Sequence, residues 1–251
     1  MTAFSYQLYS SRNFPPLADT LGMLAELGYA SVEGYGALYA DAAKVAELKD
    51  NLRKTGLTMP TGHFSLDMLE NDPATALDIA KAVGIETIYC PYIAPELRPA
   101  TGSDYAAFGQ RLQEVGKPFR DAGLGFGWHN HDFEFRPLPD GTIPQVAIFE
   151  GGPDLEWEAD LAWVVKGGAD PLHWIATFKD RLTAVHLKDI APAGENADED
   201  GWADLGQGVI DWPALKAALT QTRVKYFIIE HDNPKDERRF AERSLKAAQA
   251  L

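Results

Sequence analysis

The chain alternates short apolar runs with segments of helical period, and it does so eight times in 251 residues. Apolar residues three or four positions apart, such as Leu17, Leu21 and Leu24, predict amphipathic helices, whereas short apolar runs predict strands. Single helices between strands require a parallel sheet with helical crossovers. Eight such units favour a closed (β/α)₈ TIM barrel over an open doubly wound sheet, and they predict one domain over residues 1–251.

The boundaries of the predicted elements follow from this alternation and from Gly, Pro and acidic residues at the helix ends. The predicted strands are Phe4–Tyr9, Ser31–Gly34, Thr58–Phe64, Thr87–Tyr92, Leu124–His131, Leu155–Asp160, Thr183–Lys188 and Tyr226–Glu230. The predicted helices lie near 16–28, 41–55, 73–83, 103–122, 144–150, 161–180, 211–221 and 234–249. Pro-Asp-Gly within 133–145 predicts a small hairpin, and the acidic, Gly-rich stretch 191–208 is either a mobile lid or a solvated loop.

Composition excludes several classes of protein. A net charge of −14 without a cluster of Lys and Arg disfavours a nucleic-acid partner. No apolar segment approaches the roughly 20 residues of a membrane span, and the N-terminus lacks a signal sequence, so we expect a cytoplasmic protein with no membrane contact. Cys90 is the only cysteine, which excludes an intrachain disulfide, and its apolar neighbours predict a core position. The missing G-x-G-x-x-G motif disfavours a dinucleotide fold.

Titratable side chains gather at the predicted carboxyl ends of the strands, where TIM barrels place their chemistry. Five of the six histidines fall there, and the sixth, His173, lies in a helix, where we expect a structural role. The residues at this level are Glu33, His63, His129, His131, Glu134, Asp160, His186, Asp189, Glu230, His231 and Asp232. Carboxylates and imidazoles that converge in this way need a cation or a polar ligand to satisfy them. The sequence therefore predicts one divalent metal ion at the barrel mouth.

An ordered set of motifs resembles the sugar phosphate isomerase/epimerase superfamily, the xylose isomerase-like barrels. The motifs are Trp128–Phe135 (WHNHDFEF), Asp160 with Trp163, Val185–Asp189 (VHLKD), Gly206–Gly208 (GQG) and Ile229–Asp232 (IEHD). The resemblance covers essentially the whole chain. It implies that Glu134, Asp160, His186 and Glu230 hold the metal. Three carboxylates and one imidazole suit Mn²⁺ or Mg²⁺, with Zn²⁺ and Co²⁺ as alternatives.

The sequence departs from the family pattern on the fifth strand. Many members carry a glutamate where this chain reads His129-Asn130-His131, and the nearest acid is Glu134. We favour Glu134 as the ligand, and His129 or His131 is the alternative. The arrangement also resembles a subgroup implicated in elimination on 3-keto sugars, including carbon–glycoside cleavage, in which a histidine in this position looks like a general base.

The resemblance implies an isomerase or epimerase that abstracts a proton next to a carbonyl through a metal-stabilised enediolate. In this hypothesis Glu134 and Glu230 exchange protons with the substrate, and His129 is a further candidate base. Lys188 stabilises negative charge, or else pairs structurally with Asp189. Contacts to a small sugar or keto-sugar are expected from four side chains, Glu33, His63, Trp128 and His131.

Three alternatives remain open beside this hypothesis. The first is a metal-dependent lyase or dehydratase acting on a keto-sugar or a 3-keto-glycoside. The second is a non-catalytic sugar-binding protein. The third is a multi-zinc endonuclease, which the acidic charge and the six histidines disfavour. Barrels of this group often form dimers or tetramers, so a homo-oligomer is a possible assembly by analogy.

Overall fold

The computed structural model describes residues 3–251, and its eight long strands close into a parallel barrel, which confirms the predicted fold. The barrel strands are β1 (Phe4–Gln7), β2 (Ser31–Gly34), β3 (Thr58–His63), β4 (Thr87–Cys90), β5 (Gly125–His129), β6 (Glu156–Asp160), β7 (Leu182–Leu187) and β10 (Tyr226–Ile229). β10 closes the barrel between β7 and β1. The register places His129 beside Glu158 and Asp160 beside His186 at the carboxyl ends.

Helices surround the barrel and bury their apolar faces against the strands. They are α1 (Leu17–Leu27), α2 (Ala42–Thr55), α3 (Leu66–Asn71), α4 (Pro73–Val83), α5 (Gly102–Asp121), α6 (Pro144–Gly151), α7 (Leu161–Lys166), α8 (Pro171–Phe178), α9 (Trp212–Leu219) and α10 (Glu237–Ala250). Within residues 3–251, no helix combines the length and apolarity needed to cross a bilayer. Cys90 is buried in the core, as predicted.

Two predicted elements were wrong. The single helix over 161–180 is divided into α7 and α8, because Gly168 adopts a φ of +83° and Pro171 starts a new helix capped by Asp170. The stretch 133–145 has no strand in the described structure. It forms a 3₁₀ turn over Phe133–Phe135, then a tight loop in which the Leu138 amide donates to the Thr142 carbonyl, before α6 begins.

The stretch 191–208 is partly packed against the barrel, because Ala191, Glu199 and 202–205 are buried, whereas 193–198 are exposed. Residues 191–201 connect the two strands of a short antiparallel ribbon, β8 (Asp189–Ile190) and β9 (Trp202–Ala203). Trp202 is buried and its ring meets Trp163 edge-on at 4.7 Å. Arg239 of α10 donates to Glu199 at 2.7 Å and to both oxygens of Asp204 at 3.1 Å.

Removing this anchor with Arg239→Ala should lower the free energy of unfolding by about 1–3 kcal/mol, because buried Glu199 loses its charged donor and buried Asp204 keeps only Arg243 at 3.4 Å. The measurement is urea denaturation. The matched control is Arg238→Ala on the same helix, whose exposed pair with Glu26 should leave stability unchanged. Equal stability of the two variants would show that the packing of 191–208 does not depend on Arg239.

Candidate active site

Six barrel strands carry titratable side chains to one end of the barrel. They are Glu33 (β2), His63 (β3), His129 (β5), Glu158 and Asp160 (β6), His186 (β7) and Glu230, which follows β10. All seven are buried. Residues two apart on a strand point to the same face, so Glu158 and Asp160 both face inward. Sequence reasoning missed Glu158, although this alternation from Asp160 was the signal for it.

His186 lies at the centre of the group. Its Nδ1 bonds Glu230 Oε2 at 2.9 Å, and its Nε2 bonds Glu33 Oε1 at 2.8 Å. Burial alone would lower the pKa of His186, but ionised Glu158 and Glu230 raise it well above the ordinary value. Each ring nitrogen thus faces a carboxylate oxygen, and binding of a cation by His186 would require release of a proton from the ring.

Glu158 holds two further imidazoles. Its Oε2 lies in hydrogen-bond contact with His63 Nε2 and at 3.0 Å from His129 Nδ1. Burial raises the pKa of Glu158, but the nearby imidazoles, His186 and His63 foremost, hold it well below its usual range. Since Glu158 is ionised, His129 donates from Nδ1, and Nε2 keeps a free lone pair. Burial and the charge on His186 lower the pKa of His129 to about 3, so its ring is neutral.

The donor atoms form two sets that share His186. His63, His129, Glu158 and His186 make one set, and Asp160, His186 and Glu230 make the other. The ligand atoms of each set lie within 4.8 Å of one another.

Several carboxylate oxygens in this region are buried without a hydrogen-bond partner. They belong to Glu33 (Oε2), Glu158 (Oε1) and Asp160 (Oδ2). Asp160 Oδ1, in contrast, caps α7 by accepting from the Trp163 amide at 2.9 Å. Burying carboxylate oxygens without hydrogen-bond donors is costly, and a divalent cation would satisfy them; Asp160 Oδ2 has only the Lys188 ammonium nearby, at 3.6 Å. The oxygen and imidazole donors of this chain therefore fit a divalent metal ion.

Glu134 does not join either donor set among the described residues, although the sequence made it a predicted ligand. It lies on the 3₁₀ turn after β5, where Oε1 accepts from Trp128 Nε1 at 3.1 Å and Oε2 accepts from the His131 amide at 3.0 Å. Burial raises its pKa to about 8. Trp128 is fully buried against Phe108, so its predicted role in substrate contact does not fit its position either.

Lys188 is a buried cation among three carboxylates. Its Nζ lies 2.8 Å from Asp232, 3.3 Å from Glu230 and 3.6 Å from Asp160. Burial opposes the charge, but these carboxylates raise the pKa of Lys188 above its ordinary value. The predicted structural partner, Asp189, instead accepts only backbone amides.

A cavity of about 720 Å³ opens above these side chains. His63, His129 and Glu230 reach it from below, and its walls include Tyr9, Tyr35, Tyr92, His131 and Trp163. Glu33 lies deeper, where it accepts from Gln7 Nε2 and does not line the cavity as predicted for a substrate contact. His231 turns away to pack on Phe240, and His173 is exposed on α8.

A closed parallel barrel with imidazoles and carboxylates gathered at its mouth places the protein among TIM-barrel proteins with a candidate metal centre. The xylose isomerase-like TIM barrel model matches residues 21–251, and the chain belongs to that family. This result confirms the resemblance that the motifs indicated. No curated protein sequence matches the chain.

Solved structures share the fold at low identity. A sugar phosphate isomerase/epimerase from Parabacteroides distasonis is 19% identical with a TM-score of 0.82, over 100% of this chain and 94% of that one. The 3-keto-D-glucoside 4-epimerase YcjR from E. coli is 16% identical with a TM-score of 0.73, over 100% of both chains. AsbF of Bacillus anthracis, a probable 3-DHS dehydratase involved in petrobactin synthesis, is 15% identical with a TM-score of 0.72, over 99% of both.

Proposed function

We propose that this chain is a divalent-metal-dependent enzyme that moves a proton on the carbon beside a carbonyl of a sugar or keto-sugar, as an isomerase or epimerase. The observation that carries the proposal is the cavity floor. There His129 and Glu230 face open space directly beside the buried donors Asp160 and His186. The isomerase and epimerase names of two structural relatives support the same reaction class.

Asp160, His186 and Glu230 would hold the cation, and His186 is shared with the neighbouring donor set that contains His129 and Glu158. The set suits Mn²⁺ or Mg²⁺, and its imidazoles also suit Zn²⁺ or Co²⁺. Such a cation polarises a carbonyl oxygen and makes the neighbouring C–H more acidic.

His129 and Glu230 are the proposed proton carriers. Glu158 fixes the proton of His129 on Nδ1, so that Nε2 keeps a free lone pair toward the substrate. The low pKa of His129 makes it a weak base while His186 is charged, and a neutral His186 bound to the cation would remove that repulsion. Glu230 comes from β10, three strands away from β5 in the barrel order, and approaches the same cavity from another side. Two carriers on different sides of one carbon allow removal of a proton and its return to the other face. Glu134 is no longer proposed as a carrier because both of its oxygens are held by N–H donors.

The proposal is tested by incubating Mn²⁺-loaded protein with a panel of ketohexoses, aldohexoses and 3-keto-glycosides in D₂O. Epimer or isomer formation with deuterium at the carbon beside the carbonyl is expected. Glu230→Gln should reduce the rate by at least about 10²-fold while the protein stays folded. If the wild-type protein binds sugars but turns over none of the panel, a binding role replaces the enzymatic one.

The resemblance predicted both Asp160 and Glu134 as metal ligands, and the Mn²⁺ affinities of two variants distinguish between them. Asp160→Asn should weaken Mn²⁺ binding by at least about 10–100-fold, a loss typical even of outer-shell partners. Glu134→Gln should leave the Mn²⁺ affinity unchanged, because Glu134 faces Trp128 and the His131 amide. Titration calorimetry measures both, and loss of affinity in Glu134→Gln alone would restore Glu134 as a ligand.

A lyase is the second candidate, favoured by the size and rim of the cavity. About 720 Å³ is in the range that holds drug-sized ligands, and Tyr9 and Tyr92 at the rim are 38% and 43% exposed. This is room for an aglycone beyond one sugar ring. The same proton removal followed by loss of a β-substituent gives elimination, in keeping with the dehydratase name of one relative. Release of the aglycone or of water from the 3-keto-glycosides would identify this reaction.

A further inference from the structure

His186 has two ring nitrogens, and the strands around it give them different surroundings. Nδ1 faces the second donor set, since it lies 3.9 Å from Asp160 Oδ2 and 2.9 Å from Glu230 Oε2. Nε2 lies 2.8 Å from Glu33 Oε1, whereas Glu158 Oε2 is farther from it, at 3.4 Å. Nδ1 is therefore the nitrogen that a cation held by Asp160 and Glu230 would meet.

Glu33 is placed to act through His186 rather than on the substrate. It is fully buried, it belongs to neither donor set among the described residues, and it does not line the cavity. Its Oε1 contacts three side chains, His186, Gln7 at 2.8 Å and His63 at 3.4 Å. Of these three, His186 is the one whose other nitrogen faces Asp160 and Glu230.

A backbone amide fixes the direction of the hydrogen bonds that lead to Glu33. The Tyr9 N–H donates to Gln7 Oε1 at 3.0 Å, and a backbone N–H can only donate. The other end of the Gln7 amide, Nε2, therefore faces Glu33 and donates to it. Gln7 is fully buried, so this orientation is shielded from water. Glu33 Oε1 is thus an acceptor toward Gln7, and it presents its remaining lone pair to the Nε2–H of His186.

A carboxylate on the second nitrogen of a metal-binding histidine fixes the tautomer and the ring orientation, and it makes the first nitrogen a better ligand. In this chain the contact crosses the interior of the barrel, because β2 and β7 are separated by β1 and β10 in the strand order. Gln7 at the end of β1 and Glu33 near the end of β2 together determine how His186 on β7 is turned.

We propose that Glu33 is a positioning residue that holds the Nε2 proton of His186, so that Nδ1 is turned toward the cation, and that Gln7 holds Glu33 in place for this task. The inference rests on the proposed function for the cation, but the hydrogen bond from His186 to Glu33 is a property of the metal-free protein. It gives Glu33 a role in place of the substrate contact that the sequence predicted.

The first test follows the ring nitrogens of His186 by NMR in the full-length protein with ¹⁵N-labelled histidine, while Zn²⁺ is added as a diamagnetic probe. In the wild-type protein Nε2 should carry a proton that exchanges slowly with water, and Nδ1 should be the nitrogen that shifts and saturates with Zn²⁺. In Glu33→Leu the Nε2 proton should exchange rapidly. Zn²⁺ on Nε2 of the wild-type protein overturns the proposal, and so does a folded Glu33→Leu protein that keeps the slow exchange.

The second test measures Mn²⁺ affinity by titration calorimetry. Glu33→Leu should bind Mn²⁺ about 10–100-fold more weakly than the wild-type protein, the range for loss of a partner behind a metal ligand. Glu33→Gln should lose less, because the amide oxygen can still accept from His186 while Gln7 donates to it. Glu134→Gln is the matched control, a buried glutamate without contact to His186, and its affinity should be unchanged.

The outcomes separate this inference from the proposed function. Wild-type affinity in Glu33→Leu overturns the inference and leaves the proposed function intact, and so does complete loss of Mn²⁺ binding, which would make Glu33 a ligand. If Glu33→Leu does not fold, the Zn²⁺ titration of the wild-type protein decides. Normal cation binding without turnover of the sugar panel overturns the proposed function alone, and a wild-type protein that binds neither cation overturns both.

Discussion

His129→Gln is expected to lower kcat by about 10²–10⁴-fold, the range for loss of a positioned general base. The reason is geometric. His129 reaches the cavity, and the ionised carboxylate of Glu158 holds its proton on Nδ1, so Nε2 can accept a proton from the substrate. Glutamine keeps a polar side chain of similar reach but has no basic nitrogen. The measurement is steady-state kinetics on whichever keto-sugar of the panel reacts, with deuterium exchange as a separate readout of proton removal.

Metal binding must be measured in parallel, because His129 also belongs to a donor set. A base that is not a ligand leaves the Mn²⁺ affinity of His129→Gln at the wild-type value. The matched control is His173→Gln on α8, an exposed imidazole far from the cavity lining, which should keep full activity. Wild-type turnover in His129→Gln would refute the role of His129, and joint loss of turnover and Mn²⁺ would make it a ligand.

Lys188→Met is expected to cost about 3–5 kcal/mol of unfolding free energy in the metal-free protein, the range for breaking a buried ion pair from one side. The Nζ of Lys188 compensates Asp160, Glu230 and Asp232, and its side chain is fully buried over Trp202. Methionine fills similar space but leaves the three carboxylates facing one another. Excess Mn²⁺ should recover part of the loss, since Asp160 and Glu230 would hold it.

The pH dependence has a definite sign. Without Lys188, burial and mutual repulsion raise the pKa of these carboxyls in the folded state above their unfolded values. Groups shifted in this direction contribute stability at low pH and lose it as the pH rises through the folded pKa. Lys188→Met should therefore be more destabilised relative to wild type at pH of about 8 than at about 5.5.

Urea denaturation with and without Mn²⁺ checks these expectations. Lys54→Met on α2 is the control, because its pair with Asp50 is exposed and should contribute little. A loss in Lys188→Met that is the same at both pH values would mean that it reflects packing rather than unpaired charge.

Much of the candidate site could be predicted from the residues at the carboxyl ends of the strands. His63, His129, Asp160, His186 and Glu230 were all predicted from their place in the eight alternations, and the barrel brings them together. The motifs predicted Glu134 as a metal ligand, but a 3₁₀ turn directs its carboxylate to Trp128 and away from the donor sets. A linear sequence does not state the direction of a side chain on an irregular turn.

The hydrophobic period, the helix caps and the chemistry of the strand ends are local properties, so the sequence by itself determined the barrel, its order of elements and the kinds of residue at its mouth. Which carboxylate oxygens accept hydrogen bonds, and which remain without a donor, depends on distances across strands and loops. Only the tertiary structure decided that Lys188 pairs with Asp232, that Glu158 orients His129, and that Asp189 fills the Gly206–Gly208 loop. These contacts depend on barrel closure and register, which bring together residues distant in the chain.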